Sequence, residues 1–70
     1  MIKFAEVTKD VVVQLGRFNG ESAKNSHKVG IVKAKTVRKV GKNVFHEITV
    51  QTGARETITV HLHNIKDILN

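Results

Sequence analysis

Apolar and polar positions alternate most clearly in the second half of the chain. Residues 29–40 and 44–51 are both rich in valine, isoleucine and threonine, and they flank the turn-forming segment Gly41-Lys42-Asn43. β-Branched residues on both sides of a short glycine-containing segment are typical of a β-hairpin. In the second arm the even positions from Val44 to Val50 hold most of the apolar side chains. Because alternate residues of a strand face one side, the pattern predicts that the even face of this arm is buried.

A third arm follows a turn at residues 52–55. Ile58, Val60 and Leu62 share one parity there, which predicts another strand and therefore a three-stranded meander. The first arm of the hairpin is irregular, because its apolar side chains change parity between Ile31 and Val40. A bulge or bend within residues 33–36 would explain the change, since one extra residue turns all later side chains to the other face.

The first half of the chain is less regular. The run Val11-Val-Val13 predicts β-structure, and we expect one or two strands between residues 4 and 15 with a bend at residues 8–10. Residues 19–27 are small and polar without apolar periodicity, so they predict a surface loop.

The end of the chain is predicted to return to the core. Asn64 is placed to cap a short helical turn in which the apolar residues 65, 68 and 69 lie on one side. Together the segments predict a single, mainly β domain over residues 1–70. Its sheet is small, five-stranded and strongly bent, or it closes into a barrel, which would also remove exposed edges. A chain of 70 residues leaves room for one compact core.

The order of these parts resembles the SH3-like barrels, including those with the KOW motif of ribosomal and transcription-elongation proteins. The residues that carry the resemblance are Val11-Val-Val-Gln-Leu-Gly16, Gly20, Lys28-Val-Gly-Ile-Val-Lys33 and His63-Asn-Ile-Lys-Asp-Ile-Leu69. The last segment would be the short 3₁₀ turn and final strand of such a barrel. The loop after Gly20 is several residues longer than KOW spacing. The resemblance implies an RNA-binding or protein-docking module, and a fold alone does not choose between these functions.

Charge adds the strongest functional signal. The chain has 12 Lys and Arg against 6 Asp and Glu, and no acidic residue lies between Glu21 and Glu47. A cluster of one sign attracts anionic partners, above all nucleic acids. We therefore predict a DNA- or RNA-binding accessory module that contacts phosphates, and no enzyme. The predicted phosphate-contacting residues are Lys24, Lys28, Lys33, Lys35, Arg38, Lys39 and Lys42.

The residue types favour contact with the phosphate backbone over reading of bases. Lys33 and Lys35 would stand about 6.6 Å apart on a regular strand, which approximates the spacing of phosphates. The chain has no Trp or Tyr and only three Phe, of which Phe18 is the best stacking candidate, although a core role is commoner for such a residue. The alternative function is a small adaptor or inhibitor that docks on an acidic protein surface.

Other chemistry is weakly indicated. His61 and His63 could in principle bind Zn²⁺ together with His46, but Cys is absent and His46 shares the parity of the buried face. We expect histidines on a sheet face, no metal site and no cofactor. Phosphate-binding glycine motifs and paired carboxylates are absent.

Location and assembly follow from broader features. No apolar run approaches the roughly 20 residues of a membrane helix, and no export signal is recognisable, so we expect no membrane association and a cytoplasmic location. A small sheet with an exposed edge also makes a homo-oligomer a reasonable expectation.

Overall fold

Five antiparallel strands form one open sheet in the computed structural model of the chain, which describes residues 2–70. The order across the sheet is β4-β3-β2-β1-β5. The predicted mainly β fold with five strands is therefore confirmed for the described part of the chain. The strands are β1 (Val12–Leu15), β2 (Val29–Val40), β3 (Asn43–Gly53), β4 (Glu56–His61) and β5 (Ile65–Ile68).

Three short 3₁₀ turns accompany the strands. Phe4–Glu6 precedes β1, Gly20–Asn25 connects β1 to β2, and Leu62–Asn64 connects β4 to β5. The segment predicted to be a plain surface loop therefore contains a 3₁₀ turn. The bend expected at residues 8–10 is present, with Asp10 at a φ of 73°. Within residues 2–70 no helix is long and apolar enough to cross a membrane.

The C-terminal helical turn exists, but it precedes the residues expected to form it. Asn64 ends the turn instead of starting it, and its Oδ1 accepts a hydrogen bond from the His61 N–H at 3.0 Å. Ile65–Ile68 forms β5, which pairs antiparallel with β1 and places Val13 opposite Ile68. The free edge of β1 offers backbone hydrogen bonds that a lone helical turn cannot match, and this tertiary pairing decides the local structure.

The hairpin and its bulge agree with the alternation of side chains. Val40 pairs with Asn43 across a two-residue turn, and Gly41 has a φ of 60°, which glycine adopts without strain. The register shifts between Val32 and Ala34, so Lys33 is the extra residue of a bulge. The bulge lies within the segment predicted from the change in parity.

The core lies on one face of the sheet. On the face of β3 that was predicted to be buried, only Ile48 and Val50 are fully buried. Val44, on the same face, is 53% exposed. Gly30 in β2 is required by packing, because a Cβ there would come within 2.6 Å of the Gln51 carbonyl oxygen. The buried core residues are Val7, Val13, Leu15, Val32, Ile48, Val50, Val60 and Ile65.

The outer part of the β2–β3 hairpin extends beyond its neighbouring strands. β4 pairs with β3 only from Glu47 onward, and β1 pairs with β2 only at residues 29–31. Residues 37–46 thus pair only with each other among the described residues, through four cross-strand pairs from Val37 with His46 to Val40 with Asn43. We name residues 37–46 the hairpin arm. At roughly 3.3 Å per residue the arm extends about 13 Å past the last β4 pair, Glu47 with His61.

Candidate nucleic-acid interface

The hairpin arm carries three basic residues and no acidic one. Cross-strand partners share a face, so Lys39, opposite Val44, lies on the side that holds the core further along the sheet. Arg38, opposite Phe45, lies on the other side. Lys42 occupies the turn at the tip. The arm therefore presents positive charge on both faces and at its end.

Two lysines of the arm are available for an anionic ligand. Lys39 and Lys42 are exposed, and neither forms a hydrogen bond or ion pair with any of the described residues 2–70. By contrast, the Arg38 Nε is 3.0 Å from the Glu47 Oε1, and its guanidinium lies 5.2 Å from the Phe45 ring centre. An exposed ion pair is weak, so the remaining N–H groups of Arg38 can still contact a phosphate.

Lys35 is held at the base of the arm by the N-terminal segment. Its Nζ donates a hydrogen bond to the Phe4 carbonyl at 2.9 Å and lies 4.5 Å from the centre of the Phe4 ring. On the same face of the sheet, the Phe4 ring also stacks on the His46 ring, with the ring centres 4.5 Å apart. Lys35 is exposed but has protein partners, so we assign it a supporting role.

The predicted basic residues do not form one continuous patch. Lys28 precedes β2, whereas the arm lies at the opposite end of this 12-residue strand. The Lys28 Nζ is 2.9 Å from the Glu56 Oε1, and Lys24 lies in the preceding 3₁₀ turn, so both residues lie far from the arm tip. The bulge also breaks the regular spacing expected for Lys33 and Lys35, because Lys33 is the inserted residue.

The ion pair at the far end of β2 has a clear electrostatic consequence. A hydrogen bond from the Thr52 hydroxyl, at 2.6 Å, and then the Lys28 ammonium hold the pKa of Glu56 below its ordinary value. Lys28 thus neutralises a nearby carboxylate instead of joining the arm. The structure thus places Lys24 and Lys28 at the far end of β2, away from the basic residues of the hairpin arm.

A groove lies beside the base of the arm, where β3 extends past the end of β4. Its volume is about 680 Å³. The Phe45 and His61 rings lie 5.9 Å apart at 48°, and the His61 and His63 rings lie 5.5 Å apart and nearly parallel, at 4°. We name it the histidine groove. Its lining residues are Ile2, Val44, Phe45, His46, His61, Leu62, His63, Ile65 and Lys66.

Comparison with protein-family models, curated proteins and solved structures found no match for this chain.

The histidine groove does not have the arrangement of a metal site. Within residues 2–70, no three His, Cys, Asp or Glu side chains are grouped so that they could hold a metal ion. His46 stacks on Phe4, whereas His61 and His63 stack on each other. The imidazoles instead offer flat surfaces and hydrogen-bonding nitrogens.

Two residues of this region were not predicted from the sequence. Phe45 was not singled out, yet its ring centre lies 5.2 Å from the Arg38 guanidinium and 5.9 Å from the centre of the His61 ring. Lys66 lines the groove only because β5 folds back along β1. Phe18, the stacking candidate for which a core role was the commoner expectation, packs against the core. The alternation in β3 put Phe45 on the face opposite the core, and this was the available signal.

Proposed function

We propose that this protein is a binding module, not an enzyme, which contacts the phosphate backbone of DNA or RNA through the hairpin arm. The observation that carries the proposal is the projecting, acid-free arm, in which the ammonium groups of Lys39 and Lys42 have no partner among residues 2–70. Phosphate contacts of this kind supply affinity without reading sequence. Arg38 within the arm and Lys35 at its base add further positive charge, on opposite faces of the hairpin.

We also infer that the fold is SH3-like. The strand order β4-β3-β2-β1-β5, with a 3₁₀ turn directly before the last strand, supports this inference. In such a barrel, β5 pairs with β1 and so returns the end of the chain to its beginning, as Ile68 and Val13 do here.

Charge distribution supports an electrostatic mode of binding. The chain carries a formal net charge of +6. Three of its 12 Lys and Arg residues lie in the hairpin arm, which is only two strands wide. Such a projection raises the local potential and steers anions toward it. If the arm engages about three phosphates, the affinity should fall with salt at a log-log slope of roughly 2 to 3.

The test reverses the charge of the Lys39 and Lys42 side chains. We expect the double variant Lys39→Glu, Lys42→Glu to bind a labelled oligonucleotide at least about tenfold more weakly at about 50 mM salt, and to show a smaller salt slope. Fluorescence anisotropy across a salt series measures both quantities. The control is Lys9→Glu, Arg55→Glu, which makes the same change in net charge away from the arm.

Equal losses in the two double variants would show that net charge acts, not the arm. Circular dichroism of each variant checks that it is folded, and unfolding of the arm variant would be repaired with Lys39→Gln, Lys42→Gln. A wild-type protein that binds neither DNA nor RNA at about 50 mM salt would overturn the proposal.

A second candidate function is docking on an acidic protein surface. Three half-exposed valines of the arm favour it, because exposed apolar groups on a strand with a free edge are suited to protein contact. The same lysines would then guide association with an acidic partner. These valines are Val37, Val40 and Val44, which are 47%, 50% and 53% exposed.

A further inference from the structure

We propose that the histidine groove binds one unstacked base of a single-stranded nucleic acid whose phosphates lie along the hairpin arm. This inference depends on the proposed function and deepens it, because it names the class of nucleic acid. Backbone contact alone would accept duplexes and single strands alike.

The groove has the size and lining that a planar, partly apolar ligand requires. Its volume of about 680 Å³ is within the range of roughly 300 to 1,000 Å³ typical of small-ligand sites. Val44, Leu62 and Ile65 supply apolar contact, and the rings of Phe45 and His61 supply aromatic faces. Bases displaced from a stack bind proteins by stacking on Phe, Tyr, Trp or His.

The polar groups of the groove suit a nucleotide. Lys66 lines it beside the imidazoles of His61 and His63, and no acidic side chain is among the lining residues. Two acids adjacent in sequence to lining residues are engaged elsewhere: the Glu47 carboxylate pairs with Arg38, and the Asp67 carboxylate accepts a hydrogen bond from the Ile68 N–H. Lys66 can contact a phosphate, while imidazole nitrogens can donate to or accept from a base edge.

The groove is continuous with the arm. Val44, Phe45 and His46 belong to the arm and also line the groove. The Arg38 guanidinium lies over Phe45 on the same side of the hairpin. A strand bound along the arm can therefore contact Lys42 at the tip and place a base beside Phe45.

The experiment distinguishes binding of the bases from binding of the phosphates. Fluorescence anisotropy would compare a labelled single-stranded oligonucleotide, an abasic strand of equal length and a duplex at one salt concentration. We expect the base-containing strand to bind roughly 5- to 150-fold more tightly than the abasic strand, which is the range for one stacked base. We also expect it to bind more tightly than the duplex.

A matched pair of variants locates the effect. His63→Asn should reduce the ratio between the base-containing and abasic strands toward one, while His27→Asn, which changes the histidine outside the groove, should leave it unchanged. Asparagine is chosen because His27 has a φ of 61°, which Asn tolerates. Amide spectra of labelled protein with adenosine monophosphate should show shifts at Phe45, His61 and His63 that ribose 5-phosphate does not reproduce.

The outcomes are distinguishable. Equal, salt-dependent binding of base-containing and abasic strands, or tighter binding of the duplex, would overturn the base site and leave the phosphate-binding arm intact, since a two-stranded ribbon also fits the major groove. A ratio that survives His63→Asn would place the base elsewhere and overturn the assignment to the groove. No binding of any strand would overturn both proposals.

Discussion

The two ends of the β2–β3 hairpin have similar sequences and different environments. At the inner end, Val32 and Val50 pair across the strands and are fully buried. In the hairpin arm, Val37 and Val44 lie on the continuation of the same face but are 47% and 53% exposed. The inner end pairs with β1 on one side and β4 on the other, and its valines belong to the core. The arm pairs with neither strand.

The difference shows that burial depends on the neighbouring strands more than on alternation. Both ends have β-branched residues at alternate positions, which is sufficient to form paired strands. Apolar surface is removed from water only where another element covers it. The inner end therefore stabilises the fold, and the arm is left for contact with a partner.

The comparison is tested most strongly by one substitution made at each end. Val50→Ala should lower the free energy of unfolding by about 2 to 3 kcal/mol, because it removes two methyl groups from a filled core. Val44→Ala, in the same strand and on the same face, should change it by less than about 0.5 kcal/mol. Urea unfolding of both variants measures the difference, and equal losses would show that the arm is packed like the core.

A smaller effect is expected at the tip of the arm. Gly41 has a φ of 60°, so Gly41→Ala should cost about 1 kcal/mol through backbone strain. Gly53→Ala in the next hairpin is the control, since a Cβ there would lie at an ordinary 3.6 Å from the Glu56 Cβ. Urea unfolding would report both. An unchanged value for Gly41→Ala would show that the tip opens independently of the core.

The smallest effect concerns the ion pair at the far end of β2. The lowered pKa of Glu56 means that its ionised form favours the folded state at pH values above the ordinary carboxyl pKa. This stabilisation is lost as the pH falls through the lowered pKa. Glu56→Gln should thus make unfolding slightly less sensitive to acid, by an amount limited by solvent exposure. Thermal unfolding of Glu56→Gln at several acidic pH values checks this prediction, with Glu21→Gln as the control. A steeper dependence of stability on pH in Glu56→Gln than in the wild type would contradict it.

Local sequence signals were reliable where neighbouring residues decide the structure. The Gly41-Lys42-Asn43 turn and the bulge near Lys33 follow from turn chemistry and from a change in parity, and both are present. The alternation failed as a guide to burial at Val44, because no strand covers that end. It also failed to show that Lys28 pairs with Glu56, since 28 positions separate the two residues.

The sequence by itself determined the strands of the meander, the hairpin, the bulge and the concentration of basic residues between Glu21 and Glu47. These features depend on side-chain branching, glycine conformation and charge, which act over a few neighbouring residues. Only the tertiary structure decided that Ile65–Ile68 pairs with β1, that Lys66 and three histidines meet in one groove, and that residues 37–46 project. Each of these depends on contacts between segments far apart in the chain, whose geometry is set by the packing of the whole sheet.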